Sequence, residues 1–232
     1  MQKVLLKLSG EALASSTETL DPELLNHLAE EIEPLVKREV GIAIVCGAGN
    51  LFRGKTLSRD NLFDRCGADQ IGMLGTVINS LAINAVLLKR GIKARTMSAA
   101  GIEGVVERYQ ISRARSAIKQ GEVVILAGGT GNPFFSTDSA GALRALELEM
   151  DYFIKATKVD GVYTKDPQLH SDAVKYTTLT YRQAIQEKLA VMDLTALTLC
   201  EENHLPIYVY NFFAKGALAS FIQGKRCGTF IG

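Results

Sequence analysis

Tryptophan is absent from the chain, and histidine is scarce, with three residues in 232. His27, His170 and His204 stand in polar surroundings without a nucleophile beside them, which argues against Ser-His-Asp or Cys-His chemistry. The four cysteines, Cys46, Cys66, Cys200 and Cys227, lie far apart with no C-x-x-C pair. That spacing argues against a disulfide framework and a zinc site, and suits free thiols in a reducing cytoplasm. Excess charge is missing too. The net charge is +1, so no global field favours nucleic acid or an acidic membrane. No uninterrupted apolar run reaches the ~20 residues of a membrane span. Met1-Gln2-Lys3-Val4-Leu5-Leu6-Lys7 enters a strand pattern at once and leaves no room for a signal peptide. The expectation is a soluble cytoplasmic protein.

What is present is an alternation of strands and helices. Lys3 to Leu8 reads as a first strand. Asp21-Pro22-Glu23 starts a helix, with a capping carboxylate before a proline at the first helical position. Leu24, Leu28, Ile32 and Leu35 then recur at helical spacing up to Arg38. Ile42 to Cys46 is a second buried strand. A long helix runs from about Asp69 to Arg90, apolar on several faces, and therefore packed in the core or against another subunit. Strands follow at Lys93–Met97, Val123–Ala127, Tyr152–Ala156 and Ile207–Tyr210. Helices follow Ser112, span Thr137–Met150 with Leu143, Leu146 and Met150 inward, and begin at Asp193. A last helix precedes Gly228–Ile231, and residues 157–178 are loop-rich, with Asp160-Gly161 and Asp166-Pro167 as turn signals. The fold expected is a single-domain α/β three-layer sandwich over residues 1–232, with a mainly parallel central sheet.

Three stretches carry chemistry. Lys7-Leu8-Ser9-Gly10 lies at the end of the first strand, on the edge where open α/β sheets bind ligands. A lysine there can neutralise phosphate, although alone it is equally a strand end and a turn. Gly49 to Thr56 matches G-x-x-x-x-G-K-T letter for letter. A phosphate loop of that kind runs into a buried helix and is joined downstream by a strand ending in aspartate. Here a polar segment follows, and Val123–Ala127 ends in glycine, so Arg53, with its planar fork, is the better phosphate ligand than Lys55. The third stretch is Gly128-Gly129-Thr130-Gly131-Asn132-Pro133-Phe134-Phe135-Ser136-Thr137-Asp138. Its glycines let backbone approach a ligand, and it joins a strand to a helix N-terminus, where unpaired N–H groups converge on anions. Asp69 reads as a helix cap or as an acceptor for sugar hydroxyls, and Asp138 as a cap or as the partner that holds an active-site lysine in place. Tyr163 and Asp166 read as base or ribose contacts, or as plain turn residues.

Together these segments resemble the bacterial uridylate (UMP) kinases, a family of the amino-acid-kinase superfamily. The resemblance is carried by Lys7-Leu8-Ser9-Gly10-Glu11-Ala12-Leu13, Gly47-Ala48-Gly49-Asn50-Leu51-Phe52-Arg53-Gly54 and Thr130-Gly131-Asn132-Pro133-Phe134-Phe135-Ser136-Thr137-Asp138-Ser139. Lys155-Ala156-Thr157-Lys158-Val159-Asp160-Gly161-Val162-Tyr163 and Val191-Met192-Asp193-Leu194 extend it. It implies the amino-acid-kinase fold and transfer of the γ-phosphoryl group of Mg-ATP to UMP. The same resemblance implies ATP contacts from Lys7, Leu8, Ser9, Gly10, Gly49, Arg53, Thr157, Tyr163 and Asp166. UMP would lie against Ala48, Asp69, Thr130, Gly131, Asn132, Pro133, Phe134, Phe135, Ser136 and Thr137. Lys7, Arg53 and Asp138 would be catalytic, Asp138 by orienting Lys7, and no metal would be held by the protein itself; Mg²⁺ would arrive with ATP. A homohexamer, activation by GTP and inhibition by UTP are implied as well.

The residues agree with such a reaction. The attacking group is a phosphate oxygen, largely anionic at pH 7 because its second pKa is about 6, so no general base is required. What is required is cations and backbone donors that bring two polyanions into line. Two departures stand out. Ala48 replaces the middle glycine of a Gly-Gly-Gly run. Ala14-Ser15-Ser16-Thr17-Glu18-Thr19-Leu20 lacks the glycines associated with GTP activation, which implies a weak or altered GTP response. The alternatives are a related kinase acting on a carbamate or acylated amino acid, a P-loop GTPase, or a non-catalytic nucleotide sensor or DNA-binding regulator. The near-zero charge argues against DNA.

Overall fold

Strand β1 (Lys3–Leu8) pairs in parallel with β2 (Gly41–Cys46) on one side and β6 (Tyr152–Thr157) on the other. This computed structural model describes residues 1–52, 63–189, 191–225 and 227–232. The remaining main-sheet strands are β3 (Ala94–Ser98), β4 (Glu107–Arg108), β5 (Val123–Ala127), β9 (Thr178–Leu179), β10 (Ile207–Asn211) and β11 (Thr229–Ile231). Their order is β4-β3-β5-β2-β1-β6-β10-β11-β9, nine strands among the described residues. Pairing is parallel from β4 to β10; β11 runs antiparallel to β10, and β9 follows β11. β1, β2 and β5 are almost continuously buried, as strands covered on both faces must be.

The covering layers follow from side-chain alternation. Leu5 and Phe153 face α3 (Ile111–Lys119), α4 (Thr137–Glu147), α5 (Tyr181–Gln186) and α6 (Leu194–Glu202). Val4, Leu6, Leu8 and Ile154 face α1 (Pro22–Val36), α2 (Arg65–Lys89) and α7 (Ala217–Ile222). Asp21 caps α1 by accepting from the Glu23 and Leu24 amides, as the Asp-Pro-Glu start implies.

Two expectations need correction, and two further elements appear. α2 starts four residues earlier than expected: its cap is Asp64, which accepts from the Gly67 amide, and Asp69 sits one turn inside. α4 ends at Glu147, and Ala142, Ala145 and Leu148 form its buried face while Leu143 and Leu146 are only half-buried. Small residues win there because the helix lies close on the sheet: a Cβ on Gly141 would meet Phe153 at 2.8 Å. Residues 157–178 contain a hairpin of β7 (Val162–Tyr163) and β8 (Lys175–Tyr176). α5 was not expected either, although Thr180 and Gln183 form a capping box at its start.

Among the described helices α2 alone is long and apolar enough to cross a membrane. Its inner face, however, carries the buried polar residues Thr76, Asn79 and Ser80, which marks a core helix. Leu74, Ile78 and Leu88 lie about half exposed on its other side.

Candidate functional site

The parallel strands end on a common edge. Leu8 is in register with Cys46, Ser98 with Ala127, and Asn211 with Thr157. The loops after them therefore converge, as they do wherever open α/β sheets bind ligands. One residue before that edge, Lys7 on β1 is the register partner of Lys155 on β6, so both side chains project from the same face. Asp138, in the first turn of α4, lies over the pair. One carboxylate oxygen is 2.8 Å from the Lys7 ammonium and the other 2.7 Å from that of Lys155. Lys155 also donates to the Val191 carbonyl. Burial pushes the Asp138 carboxyl upward, but Lys7 and Lys155 together outweigh it and hold it below its ordinary value. Burial draws the Lys155 ammonium below its ordinary value, with Asp138 opposing. Three buried charges thus sum to +1, facing the convergence of loops.

The loops behind Lys7 are packed backbone to backbone. The Gly47 amide donates to the Leu8 carbonyl at 2.9 Å. Asn79, fully buried on α2, donates to the Gly47 carbonyl at 2.7 Å and exchanges amide bonds with Asn50 at 2.8 and 3.0 Å. Asn50 also donates to the Thr19 carbonyl at 2.7 Å. Gly10 sits inside this knot: a Cβ there would lie 2.3 Å from Asn50 Oδ1 and 2.7 Å from both the Gly47 oxygen and the Gly49 nitrogen. Two of these neighbours are backbone, so Gly10→Ala is expected to cost about 1–3 kcal/mol of stability and to displace the Gly47–Asn50 turn. Thermal unfolding and turnover measured together check this; a variant matching the unaltered protein in both would contradict it. Ala48 has no positive φ, and its methyl group lies where a Cβ on Gly75 would meet it at 2.8 Å, so it packs against α2.

The loop before α4 is held by three outside contacts. Gly128 (φ 75°) donates to the Thr76 hydroxyl at 2.8 Å, and a Cβ on it would reach Ser98 Oγ at 2.7 Å. Phe134, at φ 72° and two-thirds exposed, donates its amide to Asp69 at 2.7 Å; the same Asp69 oxygen accepts from Arg65 at 2.8 Å. Arg144, buried on α4, donates to the Gly129 carbonyl at 3.3 Å, pairs with Glu147 at 2.7 Å and stacks 4.2 Å from the Tyr109 ring centroid. Within the loop, Thr130 closes a turn on Asn132, while Phe135 is half exposed. Ser136 caps α4, accepting from the Ser139 amide and donating to Asp193. Asp138 is therefore not the cap. Thr137 Oγ1 would lie 3.4 Å from a Cβ on Gly47, which brings the start of α4 against the turn after β2.

Thr157 ends β6, its hydroxyl bonded to the Val159 and Tyr210 carbonyls. Tyr163 and Asp166 line a separate cavity of about 420 Å³ with Val159, Gly161, Lys188 and Leu189. There Tyr163 donates to Asp160 at 2.6 Å, and Asp166 accepts from the Gln168 amide at 2.9 Å. A cleft of about 760 Å³ opens between Gly49–Phe52, residues 14–19, Glu11 and Lys158. Arg53, with Gly54, Lys55 and Thr56 of the G-x-x-x-x-G-K-T match, lies outside the described residues. Among the described residues no group of three or more His, Cys, Asp or Glu side chains is placed to hold a metal ion.

Sequence reading missed Asn79, Asp193's contacts with α4, and Arg144. Each is a polar residue inside a helix or at its start whose partner is 15 or more positions away. Their only local signal is polarity on an otherwise apolar helix face. Burial separates Lys155 from the nearby Lys158, which is mostly exposed and pairs with Glu11 at 3.7 Å.

Residues 2–211 match the amino acid kinase family. The chain is 48% identical over 230 residues to the uridylate kinase of Acinetobacter baylyi, covering 99% of this chain and 95% of that one. It is 46% identical over 231 residues to the uridylate kinase of Magnetococcus marinus, with 99% and 95% covered. Among solved structures it resembles a UMP kinase from Bacillus anthracis at 38% identity, with a TM-score of 0.96 over 100% of this chain and 96% of that one. A uridylate kinase from Archaeoglobus fulgidus is similar at 26% identity with a TM-score of 0.76, both chains being covered completely.

Proposed function

The chain belongs to the amino acid kinase family, and from that premise we infer that it is a uridylate kinase, transferring the γ-phosphoryl group of ATP to UMP. A UMP phosphate oxygen attacks the γ-phosphorus, the bond from that phosphorus to the β,γ-bridging oxygen breaks, and UDP and ADP leave. No proton has to move. The observation that carries this reading is the Lys7–Asp138–Lys155 cluster at the convergence of the glycine-bearing loops. Lys7 and Lys155 offset the charge on the transferring group, and Asp138 fixes both ammonium groups before substrate arrives. Fixed charge of this kind needs no reorganisation during the reaction.

Lys7, Leu8, Ser9, Gly10 and Gly49, with Arg53, are assigned to the ATP phosphates, and Thr157, Tyr163 and Asp166 to the rest of that nucleotide. Mg²⁺ enters as part of the substrate, where it bridges the donor phosphates. UMP is assigned to Ala48, Asp69 and the loop at 130–137, with Asp69 accepting from the ribose hydroxyls. The Ser136 hydroxyl is already committed to the α4 cap and to Asp193. Asp69→Ala is expected to raise the Michaelis constant for UMP by about 10- to 100-fold, the worth of a hydrogen bond to a charged group. An unchanged constant would exclude the ribose contact.

The half-exposed Leu74, Ile78 and Leu88 on α2 support self-association, read here as a homohexamer. UTP is assigned as feedback inhibitor. GTP is expected to activate weakly, because residues 14–20 lack glycine; several-fold saturable activation in initial-rate assays would refute this. The four free cysteines fit a cytoplasmic setting, and the sheet, drawing strands from Lys3 to Ile231, fits one domain. The test of the main reading is an ADP-release assay with UMP, CMP, AMP and carbamate side by side. Turnover on UMP alone is expected; preference for carbamate would overturn it.

A further inference from the structure

Residues 191–193, leading into α6, touch the charge cluster at Lys155 and hold α4 on either side of Asp138, and neither contact follows from their local sequence. Val191 turns its carbonyl to the Lys155 ammonium. Two residues on, Asp193 caps α6 by accepting from the Ala196 amide at 2.9 Å. The same carboxylate reaches across to α4, accepting from the Ser139 hydroxyl at 2.8 Å and from the Ser136 hydroxyl. Ser136 is the cap of α4 and Ser139 is buried in its first turn, so Asp193 grips α4 on both sides of Asp138. A helix cap needs one acceptor oxygen; this carboxylate has three donors.

We propose that Asp193 is a positioning residue for phosphoryl transfer, locking the first turn of α4 to the 191–193 segment so that Asp138 and the Val191 carbonyl together hold Lys155 in place. The proposal rests on the phosphoryl-transfer reading above. Its electrostatic side follows from the charged groups that act on Lys155, namely Lys7 on β1, Asp138 on α4 and Asp193 before α6, with the Cys200 thiol of α6 in the field of the two carboxylates. Burial pushes that thiol up to about 12, which leaves it neutral. Burial lowers the Lys155 pKa first, Asp138 raises it, Lys7 lowers it, and Asp193 raises it again. Removing the Asp193 charge therefore lets Lys155 lose its proton at lower pH.

Two variants test this, Asp193→Asn and Ser139→Ala. Asp193→Asn keeps an acceptor for the α6 cap but loses the charge and part of the grip. Its kcat is expected to fall about 10- to 100-fold, as misplacement of a reacting group does, with both Michaelis constants within about threefold. The alkaline limb of its kcat profile moves to lower pH. Ser139→Ala keeps the carboxylate, so its kcat falls by less, about two- to fivefold, and its alkaline limb stays in place. An Asp193→Asn protein with unaltered kcat, an unmoved alkaline limb, or a loss confined to a Michaelis constant overturns the proposal. Should that variant fail to fold, an unaltered kcat in Ser139→Ala overturns it instead. If the unaltered protein makes no UDP, the phosphoryl-transfer reading fails by itself. An NMR titration of ¹⁵N-lysine-labelled, ligand-free protein still reads whether Asp193 holds the charge on Lys155, and an unshifted Lys155 titration in Asp193→Asn overturns that part.

Discussion

Replacing Lys7 with alanine in the otherwise folded protein is expected to lower turnover on UMP by on the order of 10²-fold or more, the usual loss when one preorganised electrostatic group is removed. Lys7 is 8% exposed, and its ammonium is set 2.8 Å from Asp138 at the last turn of backbone before Ser9 and Gly10. Its removal takes away charge aimed at the convergence of loops, yet leaves Asp138 still paired with Lys155. The fold should therefore tolerate the change better than the chemistry does. Single-turnover phosphoryl transfer measured beside thermal unfolding separates the two effects. Near-normal turnover in a folded variant would remove Lys7 from the mechanism.

The second large effect is expected at Asp138. Asp138→Ala leaves two buried ammonium groups facing each other without their shared partner, a change that costs about 3–5 kcal/mol when a buried pair is broken from one side. Activity should fall at least as far as for Lys7→Ala, because both lysines lose their orientation. Its pH signature has a definite sign. The folded carboxyl lies below its ordinary value of 3.8, so its contribution to stability is fully present above that value. As pH falls from there through the lowered folded pKa, the contribution is lost. Denaturant unfolding from pH 7 downward should show an acid limb in the unaltered protein that is shallower in Asp138→Ala. Equal stability of the two proteins at pH 7 would mean that the ion pairs contribute nothing net.

The strands, most helices and the glycine-bearing loops were legible in sequence because their signals are local. Asp21-Pro22-Glu23 marks a helix start, and Ile42 to Cys46 or Val123 to Ala127 can only be buried strands. The charge cluster was legible in part. Lys7 and Asp138 stand beside glycine loops, where cations and carboxylates are conspicuous. Lys155 is not legible as part of the cluster because its neighbour across the sheet is 148 positions away, and the pairing of β1 with β6 brings the two together. Asn79 was invisible for a related reason. An asparagine within an apolar helix reads as a polar interruption, and its worth as a fastener for Gly47 and Asn50 exists only after α2 has packed. The α4 face failed differently: leucine spacing suggested Leu143 and Leu146 as core, but Gly141 brings the helix so near Phe153 that only small side chains fit beneath it.

The register partnership of Lys7 and Lys155 also sets how the chain can tolerate insertions and deletions. Side chains alternate along β6, with Ile154 and Ala156 facing one core and Phe153 and Lys155 the other side. Adding or deleting a single residue between Tyr152 and Ile154 would swing Lys155 out of reach of Asp138 and drive its charge into the opposite core. A residue inserted in the exposed turn at Leu169 and His170 shifts no such pairing. Length changes in this chain should therefore accumulate in the loop segments, while the six positions of β1 and the six of β6 keep a fixed count.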